Sequence, residues 1–155
     1  MNNQTEFIPP DSYRLIIEHI PIVAIDVLFF NQEKTETLLF KRTNEPAKNI
    51  YYAIGGRLYK NENIVDCGLR QIKREAGLIA DKNQLFFGGA QNEIWDNSMF
   101  GNISQHFVTI FFGYVLNNEE IRLDSQHSDW KWFSTTDDDL HPLIRSKLEA
   151  LLEKK

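Results

Sequence analysis

Cysteine is almost absent from this chain, which contains Cys67 alone. One cysteine excludes a disulfide within the chain and a zinc site built from several cysteines. Long apolar runs are also missing, since the longest, such as VLFF and VTIFF, are far too short to cross a bilayer. The first residues, MNNQTEF, lack a basic segment followed by an apolar one. We therefore expect no secretory signal, no membrane partner and a cytoplasmic location.

Positive charge is scarce as well, because 17 Lys and Arg residues stand against 22 Asp and Glu residues, a net charge of −5. The sequence shows no basic stripe, which disfavours nucleic acid as a partner. An anionic substrate would therefore need a local cationic pocket, for which the candidates are Lys41, Arg42, Arg57 and Arg70. The length of 155 residues and the 42% of hydrophobic residues predict a single domain over residues 1–155 with a sizeable core.

Hydrophobic periodicity predicts an α+β protein. Apolar runs bounded by turn residues predict strands at residues 22–30, 37–42, 50–54, 85–90, 106–116 and 129–133. Helical spacing predicts helices at residues 13–19, 64–77 and 140–152. Residues 91–105 are predicted to form a polar loop. This order of elements predicts an α/β/α architecture, in which a mixed β-sheet is packed between helices.

The most informative segment is GRLYKNENIVDCGLRQIKREAGL, residues 56–78. Glycines, acids and an arginine recur in it at fixed spacing around a predicted helix, and the matching positions are Gly56, Glu62, Arg70, Ile72, Glu75, Gly77 and Leu78. This spacing resembles the Nudix box, although two of its usual acids are replaced by Gln71 and Arg74. The resemblance implies the Nudix fold and a metal-dependent enzyme that acts on nucleoside diphosphates linked to another group.

The predicted helix places Glu75 at the edge of its apolar face, about 60° from Ile72. A partly dry carboxylate suits a hard cation such as Mg²⁺, which prefers oxygen ligands. Gly55 and Gly56 allow a tight turn whose carbonyl groups could point to the same place. A site with one carboxylate predicts one ion rather than two. An ordinary amphipathic helix and a degenerate box used only for binding are the alternative interpretations.

A second polar segment, DSQHSDW at residues 124–130, precedes the last predicted strand. Gln126 offers an amide oxygen to a metal, and His127 is a candidate general base with an ordinary pKa of about 6.5. In isolation, a histidine in such a loop is more often a solvent-exposed group. Asp26 lies inside an apolar strand, where it must be paired or near a cleft because an unpaired buried charge is costly.

Further segments along the chain, PIVAIDVLFF, LLFKRTNEPA, IYYAIGGRL, HFVTIFFGY and LDSQHSDWKW, resemble the GDP-mannose mannosyl hydrolases, a divergent Nudix family. The box of that family lacks the same two acids, and its members cleave carbon–oxygen rather than phosphorus–oxygen bonds. The resemblance implies one Mg²⁺ per subunit, for which Mn²⁺ can substitute. Its ligands would be the carbonyl of Gly55, the carboxylate of Glu75 and the amide oxygen of Gln126.

The same resemblance implies roles for other residues, and His127 would be the base that deprotonates water. Arg42 and Arg57 would hold the diphosphate, whereas Arg70 would brace the box through an ion pair with Glu62. Asp26 would lie near the sugar, and the nucleotide would be contacted by Phe7, Ile8 and Tyr13. Part of that contact would cross the interface of a homodimer. Two positions near the sugar depart from the family pattern, and these are Asn92 and Phe107.

The sequence therefore predicts Mg²⁺-dependent hydrolysis of a nucleoside diphosphate sugar of the GDP-mannose or GDP-glucose type. Water would attack the anomeric carbon with inversion and release the nucleoside diphosphate and the free sugar. One alternative is a conventional Nudix pyrophosphatase that cleaves a phosphorus–oxygen bond. The other is a nucleotide-sugar binding module without catalysis.

Overall fold

The computed structural model describes residues 7–123 and 127–153. Its α-helices in these ranges are α1 (Pro10–His19), α2 (Ile64–Gln71) and α3 (Pro142–Glu153). Its strands there are β1 (Ile22–Phe30), β2 (Glu36–Arg42), β3 (Tyr51–Tyr52), β4 (Ile54–Arg57), β5 (Leu85–Trp95), β6 (Gln105–Val115) and β7 (His127–Ser134). Helix α2 runs into a π-helical turn at Ile72–Ala76, and a 3₁₀ turn at Lys82–Gln84 precedes β5. Within the described ranges, none of the helices has the length and apolar character needed to span a membrane.

The strands form one mixed sheet around β1. One edge of β1 pairs in parallel with β6, which in turn pairs antiparallel with β5. The other edge of β1 is divided between β4 along its first half and β2 at its end. Strand β2 continues the sheet to β3 and β7. This division brings the two glycines of β4 beside the middle of β1, where Asp26 pairs with Gly55.

The two faces of the sheet carry separate cores, as the predicted α/β/α architecture requires. Because side chains alternate along a strand, β1 sends odd-numbered residues to one face and even-numbered residues to the other. Helix α2 and its π turn cover the odd face, where the packed residues include Ile25, Val27, Phe29, Cys67 and Ile72. Helix α3 covers the even face, where they include Leu28, Phe30, Ile144, Leu148 and Leu151. The α+β class and the layer order are confirmed.

Several predicted boundaries differ from the structure, including the predicted strand 50–54, which is divided into β3 and β4, and those of β5 and β7 bear most on the site. Strand β5 continues to Trp95, so the first part of the predicted loop at 91–105 is paired with β6 instead. Its polar residues looked like a loop because they alternate between a cleft and solvent rather than between core and solvent. Strand β7 begins at His127, not at Asp129, because its pairing with β2 extends to Arg42.

The sequence predicted that the two glycines before the box form a turn after a strand. In the structure, both glycines lie inside β4 instead. A Cβ atom on Gly55 would lie 1.9 Å from Oδ1 of Asp26 and 2.6 Å from the carbonyl oxygen of Ile25. A Cβ atom on Gly56 would lie 2.5 Å from Nε2 of Gln71. Glycine is therefore required at these positions because other groups approach both faces of β4 closely, and not because the chain turns there.

Candidate active site

A cleft of about 850 Å³ lies on the even face of the sheet, beyond the part that α3 covers. Its floor is formed by side chains that the strand register places on this face, namely Ala24, Asp26, Glu93, Phe107 and Thr109. Aromatic and apolar groups in its lining include Tyr13, Tyr59, Trp95 and Met99. Basic side chains of the described lining are Arg42, Lys48, Arg57, Arg70 and Arg74. The cleft thus combines an anionic floor with several cations, although the net charge of the chain is negative.

Glu75, in the box, contacts Gly55 of the cleft lining but is not itself among the described residues of that lining. It lies in the π-helical turn and is fully buried, so it is more enclosed than the predicted edge position. Its Oε2 atom accepts a hydrogen bond of 3.0 Å from the backbone N–H of Gly55. The N–H and C=O groups of one strand residue point to the same side of the strand, so the Gly55 carbonyl also faces the Glu75 side. The Glu75 carboxylate and the Gly55 carbonyl therefore lie on the same side of β4.

The residues that replace two acids of the box, Gln71 and Arg74, both line the cleft. Gln71 is buried, with its amide against Gly56, whereas Arg74 is exposed. Among the described residues, no three His, Cys, Asp or Glu side chains are grouped so that they could hold a metal ion. A divalent cation near Glu75 would therefore need carbonyl and amide oxygens as well, a donor set that Mg²⁺ accepts.

An ion pair braces the segment that joins β4 to α2, as predicted. Arg70 donates from Nε to Oε2 of Glu62 at 2.7 Å and from a terminal nitrogen to Oε1 at 2.9 Å. The same nitrogen donates to the carbonyl of Arg57 at 3.0 Å, and the guanidinium lies 3.6 Å from the ring centre of Tyr59. Burial alone would raise the pKa of Glu62, but the hydrogen bonds from Arg70 and from the Tyr59 N–H outweigh it and lower that pKa. The brace holds the backbone that carries Arg57.

Four buried polar residues meet where the cleft adjoins α3, and we call Asp26, Tyr52, Glu93 and Lys147 the floor cluster. Nζ of Lys147 lies 2.6 Å from Oδ2 of Asp26, 2.9 Å from Oε2 of Glu93 and 3.2 Å from the hydroxyl of Tyr52. The Tyr52 hydroxyl donates a short hydrogen bond to Oε1 of Glu93. Asp26 is therefore both paired and beside a cleft, whereas its place in an apolar strand required only one of the two.

The protonation of the floor cluster follows from its burial. Desolvation raises the pKa of Asp26 to about 6, although the Lys147 ammonium opposes this shift; the Glu93 carboxylate adds to it. Desolvation also raises the pKa of Tyr52 far above its ordinary value, and Glu93 and Asp26 act in the same direction. Tyr52 is therefore a neutral hydrogen-bond donor at every physiological pH.

The comparison with known families agrees with this geometry. The family model of the NUDIX domain matches residues 21–152. This chain belongs to the NUDIX family. It is also 30% identical over 149 residues to the low-salt glycan biosynthesis protein Agl8 of Haloferax volcanii, a match that covers 95% of this chain and 92% of that protein.

Solved NUDIX structures share the fold. A MutT NUDIX hydrolase from Burkholderia pseudomallei superposes with a TM-score of 0.69 at 21% identity, over 84% of this chain and 97% of that one. The NUDIX domain of Shewanella oneidensis NrtR, complexed with ADP ribose, gives a TM-score of 0.63 at 16% identity, over 92% of each chain. At these identities the likeness establishes the NUDIX fold.

The NUDIX cleft brings together several residues that the sequence singled out, and these are Tyr13, Asp26, Arg42, Gly55 and Arg57. Phe7 is mostly exposed, and neither it nor Ile8 is among the described residues that line the cleft. Gln126 lies outside the described residues.

His127 is buried, not exposed as its loop-like surroundings suggested. Its ring centroid lies 5.6 Å from that of Phe40, and it pairs with Arg42 in the sheet register. It is not among the described residues that line the cleft. Its role as a base stays a prediction.

The sequence associated Asn92 with the sugar, but Asn92 is not among the described residues that line the cleft. Asn92 projects from the other face of β5, where its Oδ1 atom lies 3.0 Å from Nε2 of His106. Its neighbour Glu93 points into the NUDIX cleft instead, because side chains alternate along the strand. Phe107 does line the cleft, as expected.

Sequence reasoning also missed Tyr52, Glu93 and Lys147. One signal for Lys147 was present, because it shares the helical stripe of Ile144, Leu148 and Leu151, which is otherwise apolar. A lysine on the buried face of a helix needs an anionic partner. Which partner it meets depends on strands that are far away in sequence.

Proposed function

We propose that this NUDIX protein hydrolyses a nucleoside diphosphate sugar of the GDP-mannose or GDP-glucose type to the nucleoside diphosphate and the free sugar. The observation that carries the proposal is the box itself, in which Glu75 accepts a hydrogen bond from the Gly55 N–H while Gln71 and Arg74 occupy the places of two acids. A site with so few carboxylates carries too little negative charge to hold several metal ions. The arginines of the cleft, in contrast, are suited to stabilise a departing diphosphate.

One Mg²⁺ ion, or Mn²⁺ in its place, fits the donor set of this site. Its ligands would be the Gly55 carbonyl, the Glu75 carboxylate and the Gln126 amide oxygen. When bound, the ion would neutralise part of the charge on the diphosphate. The orientation of the Gly55 backbone toward Glu75 supports the first two ligands.

The reaction would proceed by attack of water on the anomeric carbon, on the face opposite the diphosphate, with inversion. The bond between C1 and the diphosphate oxygen breaks, and its electron pair leaves with that oxygen. The proton of the water goes to the imidazole of His127. Arg42 and Arg57 hold the diphosphate, so its oxygen needs no proton in order to leave. The sheet pairing of His127 with Arg42 places it next to a residue of the cleft lining, although the His127 ring is buried and is not among the described residues of that lining.

The proposal extends to the assembly and location of the protein. We propose a cytoplasmic homodimer in which residues near the N-terminus, including Phe7, Ile8 and Tyr13, contact the nucleotide. Exposed apolar side chains on and beside α1, which include Phe7, Leu15 and Ile20, support a second copy as the partner of this surface. The ADP ribose in the NrtR structure supports a substrate in which a diphosphate joins a nucleoside to a sugar.

Product analysis tests which bond is broken. With GDP-mannose and Mg²⁺ in ¹⁸O-labelled water, we expect GDP and mannose, with the label in the sugar, because water attacks carbon. Mass spectrometry of both products measures the label. Label in phosphate, together with GMP and mannose phosphate, would establish the conventional pyrophosphatase. Tight binding without turnover in any divalent metal would establish a binding module.

Replacing Glu75 with glutamine tests the metal site. Glu75→Gln keeps an oxygen that can accept from the Gly55 N–H but removes the charge, so the Mg²⁺ concentration for half-maximal rate should rise by at least about tenfold. A magnesium titration of the initial rate measures this. Asp66→Asn is the matched control, because Asp66 is exposed on the same helix. An unchanged titration in Glu75→Gln would remove Glu75 from the ligand set.

A further inference from the structure

We propose that the floor cluster selects a neutral, hydroxyl-bearing sugar and rejects a sugar that carries a carboxylate. The inference rests on the proposed function, because it assigns the floor of the cleft to the sugar half of the substrate. It goes beyond that function by naming a specificity element and the chemical class that the element excludes.

The hydrogen-bond donors of the floor cluster are already engaged within it. Nζ of Lys147 donates hydrogen bonds to Oδ2 of Asp26 and to the Tyr52 hydroxyl, and it forms an ion pair of 2.9 Å with Oε2 of Glu93. Oε2 of Glu93 is buried and accepts no hydrogen bond from the described residues. Lys147 is fully buried and is not among the described residues of the cleft lining. The hydroxyl of Tyr52 is also engaged, since it donates to Glu93. What the cluster offers to a ligand is therefore the remaining acceptor capacity of two carboxylates.

The charge of the cluster points in the same direction. Two carboxylates, one ammonium and a neutral phenol leave a formal surplus of one negative charge within the floor cluster, while the Arg42 guanidinium acts on Asp26 from outside the cluster. Carboxylate oxygens accept hydrogen bonds from hydroxyl groups, and these charge-assisted bonds are among the stronger ones. A second carboxylate brought into the same desolvated place would meet like charge, which disfavours its binding. The floor is thus attractive to sugar hydroxyls and repulsive to a uronic acid.

The position of the cluster assigns it to the sugar rather than to the base. Oδ1 of Asp26 lies over Gly55, so close that a Cβ atom there would be 1.9 Å away. The N–H of Gly55 binds Glu75, so the floor adjoins the edge proposed for the metal and the diphosphate. Both groups bonded directly to the diphosphate are sugar rings, the ribose and the hexose, and the inference assigns the hexose to the floor. The amide and amino groups of guanine are the other donors that a carboxylate could bind, and binding of GDP distinguishes them.

The test compares GDP-mannose with GDP-mannuronic acid, which differ only by a hydroxyl or a carboxylate at C6. We expect the wild-type kcat/KM, measured as total substrate consumed, to be at least about 100-fold lower for the acid. Glu93→Gln keeps the shape of the side chain and removes the surplus charge, so this ratio should fall by at least about tenfold. Glu149→Gln makes the same charge change on the exposed side of α3 and should keep the wild-type ratio.

Three results would overturn the inference. The first is equal use of both substrates by the wild-type protein, and the second is an unchanged ratio in Glu93→Gln. The third is weaker binding of GDP to Glu93→Gln, which would assign the cluster to the base. If Glu93→Gln does not fold, Asp26→Asn makes the same charge change, and the same ratio of kcat/KM values is measured for it.

The outcome is separable from the failure of the proposed function. The assay measures the total substrate consumed, and this quantity does not depend on which bond breaks. The selection between the two sugars can therefore be measured even if the protein is a pyrophosphatase. If no substrate is consumed, competition of the two nucleotide sugars against a fluorescent GDP measures the same ratio as a difference in Kd. Equal Kd values in that assay would reject the selection.

Discussion

His127→Gln should lower kcat by a factor on the order of 10²–10⁴, because the substrate water would lose the group that accepts its proton. Glutamine is close to histidine in size and polarity but does not act as a base. The initial rate with GDP-mannose and saturating Mg²⁺ measures the effect. KM should change much less than kcat, since a base that acts on water makes no strong contact with the bound substrate.

The burial of His127 makes a stability control necessary. Its ring packs on Phe40, so the unfolding transition of His127→Gln must be compared with that of the wild type. His19→Gln replaces an exposed histidine of α1 and should leave both rate and stability unchanged. A folded His127→Gln protein with a near-normal rate would remove His127 from the mechanism.

Lys147→Met should destabilise the protein by about 3–5 kcal/mol, the usual cost of removing one partner from a buried ion pair. Methionine fills a similar volume, so the effect comes from the carboxylates of Asp26 and Glu93, which would be left buried without their cation. Urea unfolding followed by tryptophan fluorescence gives the free energy of unfolding. The midpoint should shift without a large change in the slope.

Arg145→Met is the matched control for Lys147→Met, because both residues lie on α3. Arg145 pairs with the exposed Asp138 at 3.0 Å, and such surface pairs contribute less than about 1 kcal/mol. Adding Asp26→Asn and Glu93→Gln to Lys147→Met removes the buried charges and should recover part of the lost stability. If Lys147→Met unfolds like the control, the floor cluster does not depend on its ammonium.

The chemistry of the box was predictable because it is local. Residues 56–78 form one continuous segment, so helical spacing alone places Glu75 beside Ile72, and the pairing of Arg70 with Glu62 crosses a single turn into α2. The enclosure of Glu75 was not predictable, since it results from the π-helical turn and from the contact with β4. The burial of His127 was hidden for the same reason, because a pairing between distant strands, β2 and β7, decides it.

The amino-acid sequence by itself determined the α+β class, the NUDIX box with its replaced acids, and the need of Asp26 for a partner. Those features depend on residue spacing within one segment or on the cost of burying a charge. Both can be estimated from the sequence without knowing which distant residues come into contact. Tertiary structure alone decided that Asp26 meets Tyr52, Glu93 and Lys147. Three strands and the last helix bring these residues together, and only the register of the sheet determines which side chains share a face.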